Sequence, residues 1–169
     1  MTMTMREMWR KVRSSFRTHH IGDYMKRWIV KLPTGHTVRV HHILRADADD
    51  EMHNHPFAFT SVILSGGYLE QVYTCSGELH HKMQIWRSPF SLNRCSLETR
   101  HKICWVPPGG AWTLVLAQPK AQSWGFFLEP DQTFVPWREF IARSKKDPAQ
   151  LEAHRREHDQ IYGTTSETP

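Results

Sequence analysis

No run of the roughly 18 consecutive apolar residues that would cross a bilayer as a helix occurs in this 169-residue chain. The N-terminus is charged where a signal peptide would carry its apolar stretch, so the chain reads as cytoplasmic, with no membrane partner. Cysteine is scarce. Cys75, Cys95 and Cys104 are an odd number without a CxxC spacing, which argues against a disulfide framework and against a cysteine-based zinc knuckle. The body also carries no basic excess. Residues 1–31 have eight basic and two acidic side chains, residues 32–137 eight and nine, and residues 138–169 six of each, so the net charge of +5 belongs to the N-terminal arm. A nucleic-acid partner would need a basic stripe across the folded body and is not expected. Disorder is excluded for most of the chain by a hydrophobic fraction of 39% against 23% charged residues, a balance that fits one folded domain with a real core.

Histidine, by contrast, is abundant, with 12 copies. Imidazole is the commonest metal ligand and the side chain best suited to proton transfer near neutral pH. The positions of these residues therefore decide the functional reading.

Three periodicities organise the chain. In residues 1–31, Met5, Met8, Trp9, Val12 and Phe16 recur at three- and four-residue steps, with Arg6, Arg10, Lys11, Arg13 and Arg17 around them, predicting a basic helical arm packed on the body. From Gly35 the period changes to two: Val38, Val40, His42 and Leu44 alternate with Thr37, Arg39, His41 and Ile43. Further short runs rich in β-branched and aromatic residues follow at 57–64, 68–74, 80–87, 101–106, 112–118 and 123–128. Turn signals such as Ser65-Gly66-Gly67 and Pro107-Pro108-Gly109-Gly110 bound them. This pattern predicts an all-β body over 32–135, an antiparallel sandwich or barrel. Residues 136–162 read as two helices, the first with Trp137, Phe140 and Ile141 on one side and the second starting at Pro148, and residues 163–169 as a disordered tail.

His53-Asn54-His55-Pro56 lies at the start of a strand, where residues two apart share a face, so both imidazoles can reach one point. His101 begins a later strand, and three neutral imidazoles with open positions would make a catalytic rather than a closed structural site. Taken with Ser65-Gly66-Gly67-Tyr68 and the Pro107 to Gly110 turn, these pieces resemble the two-motif signature of the cupin superfamily over roughly residues 36–128. The resemblance implies a jelly-roll β-barrel, here with N-terminal and C-terminal helices, and His53, His55 and His101 as metal ligands. The glutamate that cupins usually add to the first motif falls on Thr60, a departure that leaves the usual fourth ligand absent. Glu70, across the hairpin, and Thr60 are thus the candidates for a fourth ligand or for a group supporting the ligands.

A three-histidine cupin site is similar to that of the thiol dioxygenases, which use iron and oxygen. By that likeness Arg27 stands where an arginine holds the substrate carboxylate. Tyr68, Arg45 and His42 are further candidates for substrate contact, although a histidine packed on the sheet surface is the simpler reading of His42. The serine, histidine and tyrosine that follow the last ligand in that family are missing here, where the strand reads Trp112-Thr113-Leu114-Val115-Leu116. The likeness therefore speaks to metal geometry and leaves the substrate and the catalytic residues unassigned. Through HNHP, SGGYLE and Pro136-Trp137-Arg138-Glu139-Phe140 the chain resembles small bacterial and phage-borne cupins.

The function expected from this resemblance is that of a mononuclear non-haem iron dioxygenase acting on a small molecule, with Fe(II) as cofactor. The alternatives are a non-redox isomerase or lyase using Ni, Zn or Mn, and a binding module that catalyses nothing. A homodimer pairing through the sheets is compatible with the aromatic-rich surface strands. Three smaller signals read more plainly. His154 and His158 are four apart, but Arg155 replaces the glutamate of a zinc-protease motif, which favours a solvated helix face. Trp112, Trp124, Phe126 and Phe127 read as core and sheet surface, and Asp47, Asp49, Asp50 and Glu51 as a solvated acidic loop.

Overall fold

A computed structural model describes residues 4–7, 10, 15–76 and 79–143. Among these, after helical residues 5–7 and 10, twelve strands and a short helix follow one another: β1 (Arg17–Ile21), β2 (Met25–Lys31), β3 (Thr37–Ile43), β4 (Met52–His53), β5 (Phe59–Ser65), β6 (Tyr68–Ser76), β7 (Leu79–Arg87), β8 (Leu92–Cys95), β9 (Arg100–Trp105), β10 (Ala111–Ala117), β11 (Gly125–Leu128), β12 (Thr133–Pro136) and α1 (Trp137–Arg143). They form two six-stranded sheets with the orders β1-β2-β3-β10-β5-β8 and β12-β11-β4-β9-β6-β7. Every strand pair is antiparallel. Non-consecutive neighbours such as β3 with β10 and β4 with β9 give the interleaved path of a jelly roll. The two sheets face each other without closing into the barrel expected from the sequence.

The arm is corrected in part: residues 5–7 and 10 are helical, as expected. Residues 17–31, within the stretch read as helical, are the strands β1 and β2 on the edge of the first sheet. Alternating burial of Met25 and Ile29 in β2 explains why: these apolar residues lie four apart but point to one face of a strand as well as of a helix. Met5 and Phe16 are exposed, while Met8, Trp9 and Val12 lie outside the described residues. The second C-terminal helix, with His154 and His158, and the tail also lie outside them.

Between the sheets, Met25, Ile43, Ile63, Tyr68, Ile103 and Ala111 form the main apolar cluster, and Phe57, Val115 and Ala117 a second. A third joins Phe126 to Trp137 and Ile141, which ties α1 to the end of the second sheet. Cys95 and Cys104 are free thiols. Two glycines hold the β5–β6 hairpin against the turn before β10. Gly66 has φ +80°, and a Cβ there would lie 2.2 Å from the Gly110 carbonyl oxygen. Gly110 has the same φ, and its own Cβ would lie 2.5 Å from the Ile43 oxygen. Only glycine permits both the left-handed backbone and this approach.

Candidate metal centre

The second sheet is narrowest in the middle, and the site forms there. The two-residue strand β4 carries His53, whose register partners are His101 on β9 and Phe126 on β11. Beyond His53 the chain leaves the sheet and is pinned by its backbone. Asn54 exchanges hydrogen bonds with Gly125, its amide donating to the Gly125 carbonyl and its side-chain oxygen accepting from the Gly125 amide at 2.9 Å. The Gln122 side-chain Nε2 donates to the carbonyls of His55 and Leu97, each at 2.8 Å. These bonds direct His55 inward beside the other two rings.

The ring centroids of His53, His55 and His101 are 5.2, 5.0 and 4.9 Å apart, close to an equilateral triangle. One nitrogen from each lies within 4.8 Å of the others. The nearest pair, His55 Nε2 and His101 Nε2, are 2.7 Å apart. Two imidazole nitrogens each about 2.1 Å from a shared ion and at right angles to each other would be about 3 Å apart, so a small outward shift accommodates a cation.

Behind His101 stands Glu70, 1% exposed, whose Oε1 accepts from His101 Nδ1. The other carboxylate oxygen accepts from Arg87 Nε at 2.5 Å, and Asn93 Nδ2 lies 3.4 Å from both oxygens. Burial alone would raise the Glu70 carboxyl, but the bonds and charges of His101 and Arg87 outweigh it and hold it below the usual carboxylate range. An ionised carboxylate on Nδ1 fixes the tautomer that leaves His101 Nε2 as a lone pair, the arrangement typical of metal-bound histidine.

His53 has a carboxylate near it too. Asp47 Oδ2 lies 4.0 Å from His53 Nδ1 and accepts from the Ile103 amide at 2.7 Å, while Oδ1 accepts from the Tyr24 hydroxyl at 2.5 Å. Asp47 is therefore not a member of a solvated acidic loop: its carboxylate ties that loop to β9. Burial, with a smaller contribution from His101, lowers His53 to about 4, against the opposing pull of Asp47. Burial and the neighbouring His101 and His53 hold His55 well below 6.5 as well. Both imidazoles are neutral at pH 7, the form that donates a lone pair. A cluster of neutral nitrogen donors fits a divalent cation.

The other sequence candidates divide by the face they occupy. Tyr68 is buried in the interior beside Glu70, with its hydroxyl 3.4 Å from Asn93 Nδ2, and burial pushes its phenol up to about 12. Glu70 is placed against the back of His101 rather than among the converging nitrogens. Thr60 is not brought to the site: on β5 the buried positions are Ser61 and Ile63, and Thr60 belongs to the opposite face. His42 also lies outside, stacked on Trp112 at 4.2 Å and donating from Nε2 to the Gly109 carbonyl. Arg45 pairs with Asp23 at the surface. Arg27 shares its strand face with the buried Met25 and Ile29 and points inward. The residues that sequence reasoning missed are His41, Arg39, Asn93, Arg87 and Asp47. The strand alternation held the signal for His41 and Arg39, but its phase was open.

No family model matches the chain, and no curated protein matches it. Solved structures do. The 7S globulin of Momordica charantia superposes with a TM-score of 0.53 at 8% identity, covering 87% of this chain and 46% of that one. An oxalate decarboxylase of Bacillus subtilis gives 0.49 at 14% identity, covering 89% and 38%, and KdgF from Halomonas sp. gives 0.43 at 12%, covering 62% and 89%. This chain spans about half the length of the 7S globulin. At such identities the likeness concerns the fold alone.

Proposed function

The chain has the cupin jelly-roll fold, and on that premise we propose that it is a metal-dependent enzyme, a mononuclear non-haem iron dioxygenase acting on a small molecule. One observation carries the reading: three imidazoles from β4, the segment after it and β9 converge inside the sandwich with no carboxylate among them. His53, His55 and His101 would hold the ion. Iron(II) bound there would supply, with molecular oxygen, an oxidant for a small substrate, leaving positions open that three ligands do not fill.

The chain's own groups prepare that site. Glu70 holds the proton on His101 Nδ1, so Nε2 faces inward as a lone pair. Arg87 and Asn93 hold Glu70 in turn, which prevents the carboxylate from rotating toward the ion. Asp47 fixes the loop that precedes His53. Tyr68 stays protonated and closes the interior beside Glu70.

A non-redox metal enzyme is the second reading, favoured by the donor set itself, since three neutral imidazoles without a carboxylate suit zinc or nickel as well as iron. Elemental analysis of tag-free protein, beside His53→Ala and His101→Ala, separates the two. Near-stoichiometric iron in the wild type, lost in both variants, is the expected result and would justify screening for oxygen uptake. Stoichiometric zinc, nickel or manganese would favour isomerase or lyase chemistry, and full metal retention in His101→Ala would remove that residue from the site.

A further inference from the structure

His53 and His101 face each other as register partners on β4 and β9, and each has a carboxylate on the Nδ1 side of its ring. For His101 it is Glu70, and that hydrogen bond is made. For His53 it is Asp47, whose Oδ2 lies 4.0 Å from Nδ1, about 1 Å beyond hydrogen-bond reach. Both side chains are largely withdrawn from solvent, Asp47 at 12% exposed and His53 at 16%.

Asp47 is held in place from both sheets. Its amide donates to the Ile103 carbonyl at 3.0 Å and its Oδ2 accepts from the Ile103 amide at 2.7 Å, which fixes it to β9 two residues from His101. Its Oδ1 accepts from the Tyr24 hydroxyl at 2.5 Å, and Tyr24 stands in the turn between β1 and β2 of the first sheet. The Tyr24 carbonyl accepts from the Leu44 amide, and further along the loop the Asp50 carbonyl accepts from Lys102 Nζ, so the segment before β4 is tied at several points. Burial, and then the Asp47 charge, hold the Tyr24 phenol well above 10, so it remains the donor of its pair. A carboxylate offers about four lone-pair positions, of which Tyr24 and Ile103 occupy two. Acceptor capacity is left on Oδ2, the oxygen that faces His53.

We infer that Asp47 is the positioning residue for His53: it accepts a hydrogen bond from His53 Nδ1, as Glu70 does from His101, and so directs His53 Nε2 toward the other two rings, with Tyr24 holding the carboxylate in line. Because Asp47 is fixed by its own bonds, a small rotation of the imidazole closes the gap. A carboxylate behind a metal-bound histidine sets both the tautomer and the direction of the ring, and here the two cross-strand ligands would each have one. The inference rests on the metal reading above and adds to it a second carboxylate acting directly on a ligand.

The test uses the tag-free full chain with zinc(II) as the probe and two readouts: affinity by competition with a chromophoric chelator, and the hydrogen-bonded imidazole N–H signals of the zinc-loaded protein, seen by NMR with isotope-labelled histidine. The wild type is expected to show a carboxylate-bonded Nδ1–H signal from His53 and another from His101. Asp47→Asn is expected to lower zinc affinity by about 10–100-fold and to remove the first signal, whereas Glu70→Gln removes the second. Tyr24→Phe keeps the carboxylate and is expected to weaken zinc binding less, with the His53 signal shifted but present. Unchanged affinity in Asp47→Asn overturns the proposal. So does lowered affinity with both signals intact, since a residue that only packs the loop would act without touching that N–H. Should Asp47→Asn fail to fold, Asp47→Glu carries the comparison: its longer side chain is expected to move the His53 signal, and an unmoved signal overturns the proposal. A wild type that binds zinc but shows only the signal removed by Glu70→Gln overturns this inference alone. A wild type that binds neither zinc nor iron(II) overturns the metal reading and this inference with it.

Discussion

Glu70 concentrates the chemistry of the site in one side chain. It is almost wholly buried and ionised, and it touches both a proposed ligand and a guanidinium. Replacing it with glutamine keeps the shape but removes the charge that holds the proton on His101 Nδ1. Glu70→Gln is therefore expected to lower metal affinity by about 10–100-fold, measured by competition with a chromophoric chelator. Glu70→Ala goes further by leaving Arg87 and Asn93 facing a void, and is expected to cost about 3–5 kcal/mol of stability in urea unfolding. Equal metal affinity in wild type and Glu70→Gln would show that His101 does not depend on the carboxylate. At this scale the sequence was partly legible. HxH and the later His101 were visible as a pattern, but the shared strand face expected of the pair is not what joins them: β4 ends at His53, and His55 reaches the cluster through the bonds at Asn54 and Gln122. Glu70 was visible only as a candidate, since its role depends on where the hairpin turn sets the face of β6. Asp47 looked like one of four solvated acids, and no spacing rule separates it from Asp49 or Asp50.

Along the strands the difficulty was one of phase. Residues 37–43 were recognisably a strand, as were the stretches that became β5, β6, β7, β9, β10 and β11. Hydrophobicity, however, suggests that Val38, Val40 and Leu44 face the core. The structure turns Thr37, Arg39, His41 and Ile43 inward instead, and does the same with Thr113 on β10 and Ser61 on β5, leaving Leu114 and Leu116 exposed. An interior that hosts a polar site reverses the usual sorting, which is why His42 was chosen where His41 is the interior residue; Thr60 was reached through the position of the cupin glutamate, and its neighbour Ser61 is the one that faces inward. β4, β8 and β12 were missed because two to four residues are too few to display a period; β11, also four residues, stood out through its aromatic run Phe126-Phe127. The turns were easier to read. Gly66→Ala is expected to destabilise by about 2 kcal/mol or more, because its Cβ would collide with the Gly110 oxygen at a positive φ; thermal unfolding measures it. A neutral effect would mean that the β5–β6 hairpin can move away from the turn before β10.

For the molecule as a whole, several imidazoles are kept neutral by folding, and this links stability to pH. His41 and His55 lie well below 6.5 and His53 at about 4 in the folded state. In the unfolded chain all three return to the ordinary value. Below about pH 6.5 the unfolded state therefore binds more protons, and stability falls as pH falls, by up to about 1.4 kcal/mol per pH unit for each histidine. The metal-free protein should lose stability in urea between pH 7 and 5.5. His41→Leu should flatten that slope by the share of one proton. A slope that leaves His41→Leu and wild type indistinguishable would mean that His41 takes up its proton while folded. No helix among the described residues is long and apolar enough to span a membrane.

The two-residue strand β4 has a consequence for how the molecule comes apart. Among the described strands it alone is paired with both β11 and β9, by a single register pair, His53 with His101, on the β9 side; beside it only side chains cross, Arg100 over the Phe127 ring and Lys82 with Glu129. The sheet thus has a seam, with α1 attached to its smaller side through Phe126. An ion held by His53, His55 and His101 would bridge that seam and fasten together residues 46 positions apart in the chain. The same three side chains that are proposed to hold a reaction centre would then act as a clasp, and emptying it would release β11, β12 and α1 as one flap before the rest of the sandwich yields.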